Sequence, residues 1–345
     1  MTALTCPTPV MHYDQIVMGH GSGGQMTDDL IQHIFAPAFS MTENLGDAAV
    51  LDLGDRGRLV FSTDSFVVQP LVFPGGNIGS LAVAGTVNDL AMMGAKPLYL
   101  SVGFILEEGL ALETLQQIVE AMAQTARDAG VRIVAGDTKV VEQGHGDGVY
   151  INTSGVGILS QMEGPSANRA KTGDALIING TLGDHGMAIM GVRNGLDFGD
   201  GLVSDAAALN GLVAQMLNTC PNIHVLRDLT RGGLAAAANE IAHDSGVTLE
   251  ISEDLVRVKE TVRGACEILG FDVLQVANEG KLLAIVDPSD ADAVLEAMRA
   301  HPLGKEAVCI GWVVDGAKGV VIGKTGYGST RVIDMPVGAL LPRIC

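Results

Sequence analysis

Between Glu113 and Ala129 the apolar residues Leu115, Ile118, Val119, Met122 and Ala126 fall on one face of a 3.6-residue repeat. The spacing predicts a helix over 113–129, and Gly130 is a fitting stop after it. The run 79–93 reads as a second helix carrying Asn88 and Asp89, and Thr27 to Phe35 as a shorter one. Around them lie strand-like runs that end in polar residues. These are Val60 to Asp64, Val131 to Ala135 leading into Gly136-Asp137-Thr138-Lys139, and Tyr150 to Leu159. A second set follows, with strands at 175–179, 247–251, 281–286, 308–314 and 320–322. Its helices fall at 204–217, 234–243, 259–269 and 289–299. Strands alternating with helices predict an α/β, or layered α+β, fold.

Turn residues at Gly164-Pro165 and Lys171–Asp174 mark a junction. Residues 19–165 and 166–327 are therefore expected as two domains, with 1–18 as an N-terminal extension without clear pattern. From Gly328 the chain changes character. Pro336 and Pro342 remove backbone donors and disfavour helix, so 328–345 is expected as an extended, mobile tail. At about 3.5 Å per residue such a tail reaches up to ~60 Å, enough to carry Cys345 to a pocket elsewhere.

Composition narrows the classes. The 345 residues carry 21 Lys and Arg against 40 Asp and Glu, a net charge of -19. That balance argues against nucleic-acid and polybasic membrane-surface binding. The 45 Gly and 4% aromatic content fit an enzyme with tight backbone turns better than a module built on aromatic anchors. Met1 to Val10 lack a basic start and apolar run, so the cytoplasm is the expected location. Of the five cysteines, no two are close enough for a zinc pattern. Cys220, Cys266 and Cys309 read as buried thiols. Cys345, the last residue, has no packing reason to be Cys.

Asp47, Asp64, Asp137 and Asp228 stand where strands end or turns begin, and Asp89 joins them from a helix. Taken singly, each reads more readily as a cap or turn residue. Taken together they repel, two carboxylates at 5 Å costing about 3 kcal/mol at an effective dielectric of 20. Such a set needs a cation, and hard oxygen ligands select Mg²⁺ or Ca²⁺. Mg²⁺ in turn suggests a nucleoside triphosphate. There is no GxxxxGK[ST] loop, but the glycines of His20-Gly21-Ser22-Gly23-Gly24 could present backbone N–H groups to phosphate. Lys139 could meet a phosphate or simply lie at the surface.

These residues carry a resemblance. Gly46-Asp47-Ala48-Ala49-Val50, Ser62-Thr63-Asp64, Asn88-Asp89, Gly136-Asp137-Thr138-Lys139 and Asp228-Leu229-Thr230-Arg231-Gly232-Gly233 resemble a superfamily of ATP-binding enzymes. Its members include aminoimidazole ribonucleotide synthetase, selenophosphate synthetase and thiamine-monophosphate kinase. Within it, His20–Gly24, Phe73–Gly79, Asn278–Lys281 and the terminal Pro342-Arg343-Ile344-Cys345 are similar to the HypE family of hydrogenase maturation proteins.

The resemblance implies a two-domain aminoimidazole ribonucleotide synthetase-like fold that dimerises through the sheet of its N-terminal, ATP-binding domain. It implies ATP and Mg²⁺ as cofactors. Asp47, Asp64, Asp89, Asp137 and Asp228 would form the metal and phosphate set. His20, Gly21, Gly23, Gly24, Thr63, Asn88, Thr138 and Lys139 would contact the nucleotide. It implies that a carbamoyltransferase, HypF, loads Cys345. ATP-dependent loss of water then leaves a thiocyanate, whose cyanide passes to iron held by HypC–HypD on the way to a [NiFe]-hydrogenase. Glu279, with Asp89, is the candidate for proton transfer; the alternative for Glu279 is a salt bridge to Lys281. A sibling enzyme acting on a free metabolite explains the acidic set but not the tail. A passive scaffold explains the tail but not the acidic set.

Overall fold

The computed structural model describes residues 16–21, 23–35, 47–54, 57–159, 164–196, 201–338 and 341–345. Cys6, Ser22, Gly46 and most of the 1–18 extension lie outside the described residues.

The first domain carries β1 (Ala49–Asp52), β2 (Arg58–Phe66), a short ribbon of β3 (Val72–Phe73) and β4 (Gly76–Asn77), β5 (Lys96–Glu107), β6 (Arg132–Val141) and β7 (Val149–Leu159). Its five-stranded sheet runs β1-β2-β7-β5-β6, with only β5 and β6 parallel. β7 alternates buried and more open positions, so one face of the sheet meets the core. The helices Ile78–Met92 and Leu112–Asp128 cover that face. β6 is the edge opposite β1 and is exposed along nearly its whole length.

The Ile78–Met92 helix decides where the site falls. Asn77 starts it: its side chain accepts from the amides of Gly79 and Ser80, and Ser80 Oγ accepts from the Asn77 amide. Every residue of the helix is buried except Ser80 and Asp89. A helix apolar on all sides must be covered on all sides. One side meets the first sheet. On another side Ala91 and Met92 pack into the second domain's core, and Asn88 bonds Leu209 N and Ala207 O of the second domain.

The second domain comprises β8 (Ala175–Ile178), β9 (Val225–Asp228), β10 (Thr248–Ser252), β11 (Leu282–Val286), β12 (Val308–Val314), β13 (Val320–Lys324) and β14 (Thr330–Val332). They form a seven-stranded sheet, β14-β13-β10-β12-β8-β11-β9. β8 and β11 are buried at every position because helices lie over both faces. No helix among the described residues is long and apolar enough to cross a membrane.

Several elements differ from the sequence reading, among them the short strands β1 and β9, which had no counterpart in it, and β6, which runs on through Asp137 to Val141 instead of ending at Ala135. β5, twelve residues long, was not anticipated, and neither was the helix Asp184–Arg193. The helix expected from Ser204 begins at Asn210. Side chains compete for the preceding segment: Ser204 Oγ bonds His185, Asp205 accepts from Glu279 N, and Leu209 N donates to Asn88. The tail is also partly ordered, with Thr330–Val332 forming an edge strand.

A Cβ on Gly79 would stand 2.2 Å from the Ile118 carbonyl oxygen. Gly79→Ala therefore forces the two covering helices apart. We expect a loss of about 1–3 kcal/mol, read from the urea midpoint.

Candidate active site

Four carboxylates meet where the two domains touch. Asp47 stands before β1, Asp64 within β2, Asp89 on the buried helix and Asp228 at the end of β9. Oxygens of Asp47, Asp89 and Asp228 lie within 4.8 Å of one another. Burial pushes all four upward. Asp228 rises to about 8, through burial and then the charge of Asp47. Asp89 is driven well above the carboxylate range by burial and then by Asp228, Asp64 and Asp47. The compensation is partial. Ser62 Oγ donates to Asp89 at 2.6 Å, and Arg227 bridges Asp47 and Glu240. Burial works against the charge of Arg227, but its acidic neighbours outweigh it. Three converging hard oxygens with raised proton affinity fit a divalent cation such as Mg²⁺.

A cleft of about 890 Å³ opens over this set. Its wall includes Gly23, Gly24, Thr63, Asp64, Arg231, Glu279 and Cys345. Glu279 is 2% exposed, and its Oε1 has no partner among the described residues. Burial and then Asp228 raise it well above the usual range. The expected alternative partner, Lys281, instead pairs with Asp205 at 3.2 Å.

The chain's last residues enter the same cleft. Val67 N donates to Cys345 O at 3.0 Å and Gln69 N to Arg343 O at 3.3 Å. Cys345 is buried, and burial pushes its thiol upward despite the nearby Arg231. Arg231 is held charged first by Cys345 and then, against burial, by Asp64 and Glu279.

The structure brings together Asp47, Asp64, Asp89, Asp228, Thr63, Gly23, Gly24, Glu279 and Cys345. It keeps others apart. Asp137 and Lys139 are exposed on the edge strand β6 and pair with each other at 2.6 Å; Thr138 is exposed between them. Asn88, next to Asp89, turns to the second domain as an interdomain pin. The His20 ring folds back onto the Val17 backbone, and Gly21 lines a separate cavity of about 650 Å³ on the other side of the tail.

Sequence reasoning missed Ser62, Arg227, Arg231, His185 and Arg193. The two arginines flanking Asp228 carried a signal, since cations are scarce in this chain. His185 and Arg193 carried none, because their partners, the Ser204 hydroxyl and Ile344 carbonyl for His185 and three backbone carbonyls for Arg193, are distant in sequence.

The family models for AIR synthase related proteins match this chain twice, the N-terminal domain over residues 45–159 and the C-terminal domain over 171–324. The carbamoyl dehydratase HypE of Cupriavidus necator is 52% identical over 333 residues, 96% of this chain and 95% of that protein. This chain belongs to the HypE family. Among solved structures, that of a HypE–HypF complex aligns with a TM-score of 0.84 at 49% identity, covering 89% of this chain and 99% of that one. A HypE in complex with ATP aligns at 0.82 and 46% identity, covering 96% of this chain and all of that one. The two-domain architecture is thus that of the family.

The raised carboxyls set a pH dependence. Asp228, raised from 3.8 to about 8, holds its proton in the folded protein across that window and releases it on unfolding. Its stabilising contribution is full below 3.8 and is lost as pH rises through 8. In chelator the melting temperature should fall from pH 5 to pH 8. Added Mg²⁺ should flatten that slope, and a slope unchanged by Mg²⁺ would count against a cation at this cluster.

Proposed function

We propose that this chain is an ATP- and Mg²⁺-dependent carbamoyl dehydratase that acts on its own Cys345. The observation that carries the reading is the position of Cys345. The thiol of the last residue lies on the wall of a cleft that also holds the carboxylate set, Arg231 and Glu279.

The chemistry follows from the bonds. An S-carbamoyl group, S–C(=O)–NH₂, becomes S–C≡N when its C–O bond breaks and both N–H protons leave. Oxygen is a poor leaving group, so it departs on the phosphate that ATP supplies, leaving ADP. Asp47, Asp89 and Asp228, with Asp64 beside them, would hold the Mg²⁺, which neutralises phosphate charge when bound. Arg231 stands between Asp64, Glu279 and Cys345 and orients the negative groups that gather there. Glu279, a strong base in its ionised form because burial raises its proton affinity, takes one proton from the amide nitrogen at its unpartnered Oε1, and the other leaves with the departing phosphate. The docked thiol, pushed upward, is protonated and a weak nucleophile. That suits a residue that is carrier and substrate, loaded elsewhere.

Loading implies that the tail leaves the cleft to meet a carbamoyltransferase, HypF, and returns. It leaves again to pass cyanide to iron on HypC–HypD, for a [NiFe]-hydrogenase. This sequence of events belongs in the cytoplasm. The chain acts as a homodimer through its first sheet. The edge strand β6 exposes Val134 and Val140 at 54% and 67%, which supports such a pairing. A second copy against β6 would also give Asp137, Thr138 and Lys139 a nucleotide to contact.

Mass spectrometry of the C-terminal peptide tests the reading. After incubation with HypF, carbamoyl phosphate and ATP-Mg²⁺, Cys345 should gain a carbamoyl group and then lose one water. An unmodified Cys345 beside active ATP turnover would shift the reading to a free substrate. In Glu279→Gln the carbamoyl adduct should still form but lose water about 10²-fold more slowly or worse.

A further inference from the structure

Resting on the reading of Cys345 as carrier, we propose that Arg193 and His185 are positioning residues that hold the C-terminal peptide in the cleft. We propose also that His185 ties this docking to Glu279 through Ser204 and Asp205. Both anchors come from one helix, Asp184–Arg193, His185 in its first turn and Arg193 at its end.

Arg193 serves three backbone carbonyls with one guanidinium. Its Nε donates to Gln69 O at 2.5 Å, its Nη1 to Pro342 O at 2.5 Å and its Nη2 to Arg343 O. The backbone ties residues 67–69 to the tail through two bonds, Val67 N to Cys345 O and Gln69 N to Arg343 O, and the guanidinium adds a bridge from Gln69 O to Pro342 O and Arg343 O.

His185 is fully buried, with Phe73 edge-on to its ring at 5.5 Å. Its Nε2 lies 2.8 Å from Ile344 O, the carbonyl next to Cys345. A carbonyl only accepts, so Nε2 carries the hydrogen. Nδ1, 2.7 Å from Ser204 Oγ, then accepts the hydroxyl proton, while the same Oγ accepts from Ala206 N at 3.1 Å. The next residue, Asp205, accepts from Glu279 N at 3.0 Å, and Ala207 N donates to Glu279 O at 3.2 Å. The short segment 204–207 therefore touches the tail anchor on one side and the backbone of Glu279 on the other. Neither Arg193 nor His185 lines the carboxylate cleft.

The test uses the full chain and follows iodoacetamide alkylation of Cys345 by mass spectrometry, with half-buried Cys309 as internal reference. In Arg193→Ala and His185→Leu, Cys345 should alkylate about tenfold faster or more, the factor a charged or buried hydrogen bond carries. Cys309 and the thermal shift with ATP-Mg²⁺ should not change. His185→Gln keeps an N–H for Ile344 O and should restore part of the protection. Should Cys309 become reactive in the severe variants, Arg193→Lys and His185→Gln decide instead, each with intermediate protection expected.

Alkylation of Cys345 at the unaltered rate in these variants overturns the anchoring. In chains already carbamoylated, His185→Leu should slow water loss more than Arg193→Ala at matched exposure of the tail. Equal slowing overturns the link to Glu279. If the unaltered chain never carries a dehydrated adduct while the alkylation rates still separate, the anchoring stands and the dehydratase reading fails.

Discussion

Mutual repulsion among four half-buried and buried carboxylates is the constraint around which this molecule is arranged. Asp89 is the only charge on a helix buried at every other position except Ser80, and it faces Asp47, Asp64 and Asp228. Such a helix is tolerable only if both domains wrap it, and the one gap they leave becomes the cleft. Burial that raises proton affinity elsewhere would be a defect. Here it gathers oxygen ligands of which, among the described residues, only Asp47 is drawn into a direct ion pair, with Arg227.

Much of the scaffold was legible because local signals agreed with tertiary ones. The 113–129 expectation differs from the observed Leu112–Asp128 by a single residue at each end, since a clean apolar stripe leaves little freedom. The 204–217 expectation failed at its start for the opposite reason. Ala206, Ala207 and Ala208 favour helix, but Ser204 and Asp205 spend their side chains on His185 and Glu279, and the backbone follows them. Asp228 stands at a strand end as expected, and Asp47, Asp64 and Asp89 join it from before β1, from within β2 and from the buried helix. The position of Asp137 could not be read, because nothing in a motif says that its strand will lie at an edge. Reach was legible in the tail, whereas its destination depends on carbonyl partners that leave no pattern in sequence.

The docked tail also explains an economy in the fold. The segment Val67–Gln69 leaves the first sheet after β2 with free amides, and the returning C-terminus takes two of them. A chain end thus completes the core of the domain farthest from it in sequence: Ile344 and Cys345 pack in the same cluster as Phe66 and Ile78. If the tail leaves, as the proposed loading requires, that cluster is uncovered, which favours the docked form.

The protonated carboxyls have a thermodynamic corollary. A cleft whose Asp228 is raised to about 8 and whose Asp89 is driven well above the carboxylate range stores dissociable protons at neutral pH. A divalent cation entering it displaces them, so loading discharges acid into the medium and its affinity climbs with alkalinity. Its apparent enthalpy would then track the ionisation heat of whichever buffer receives the protons.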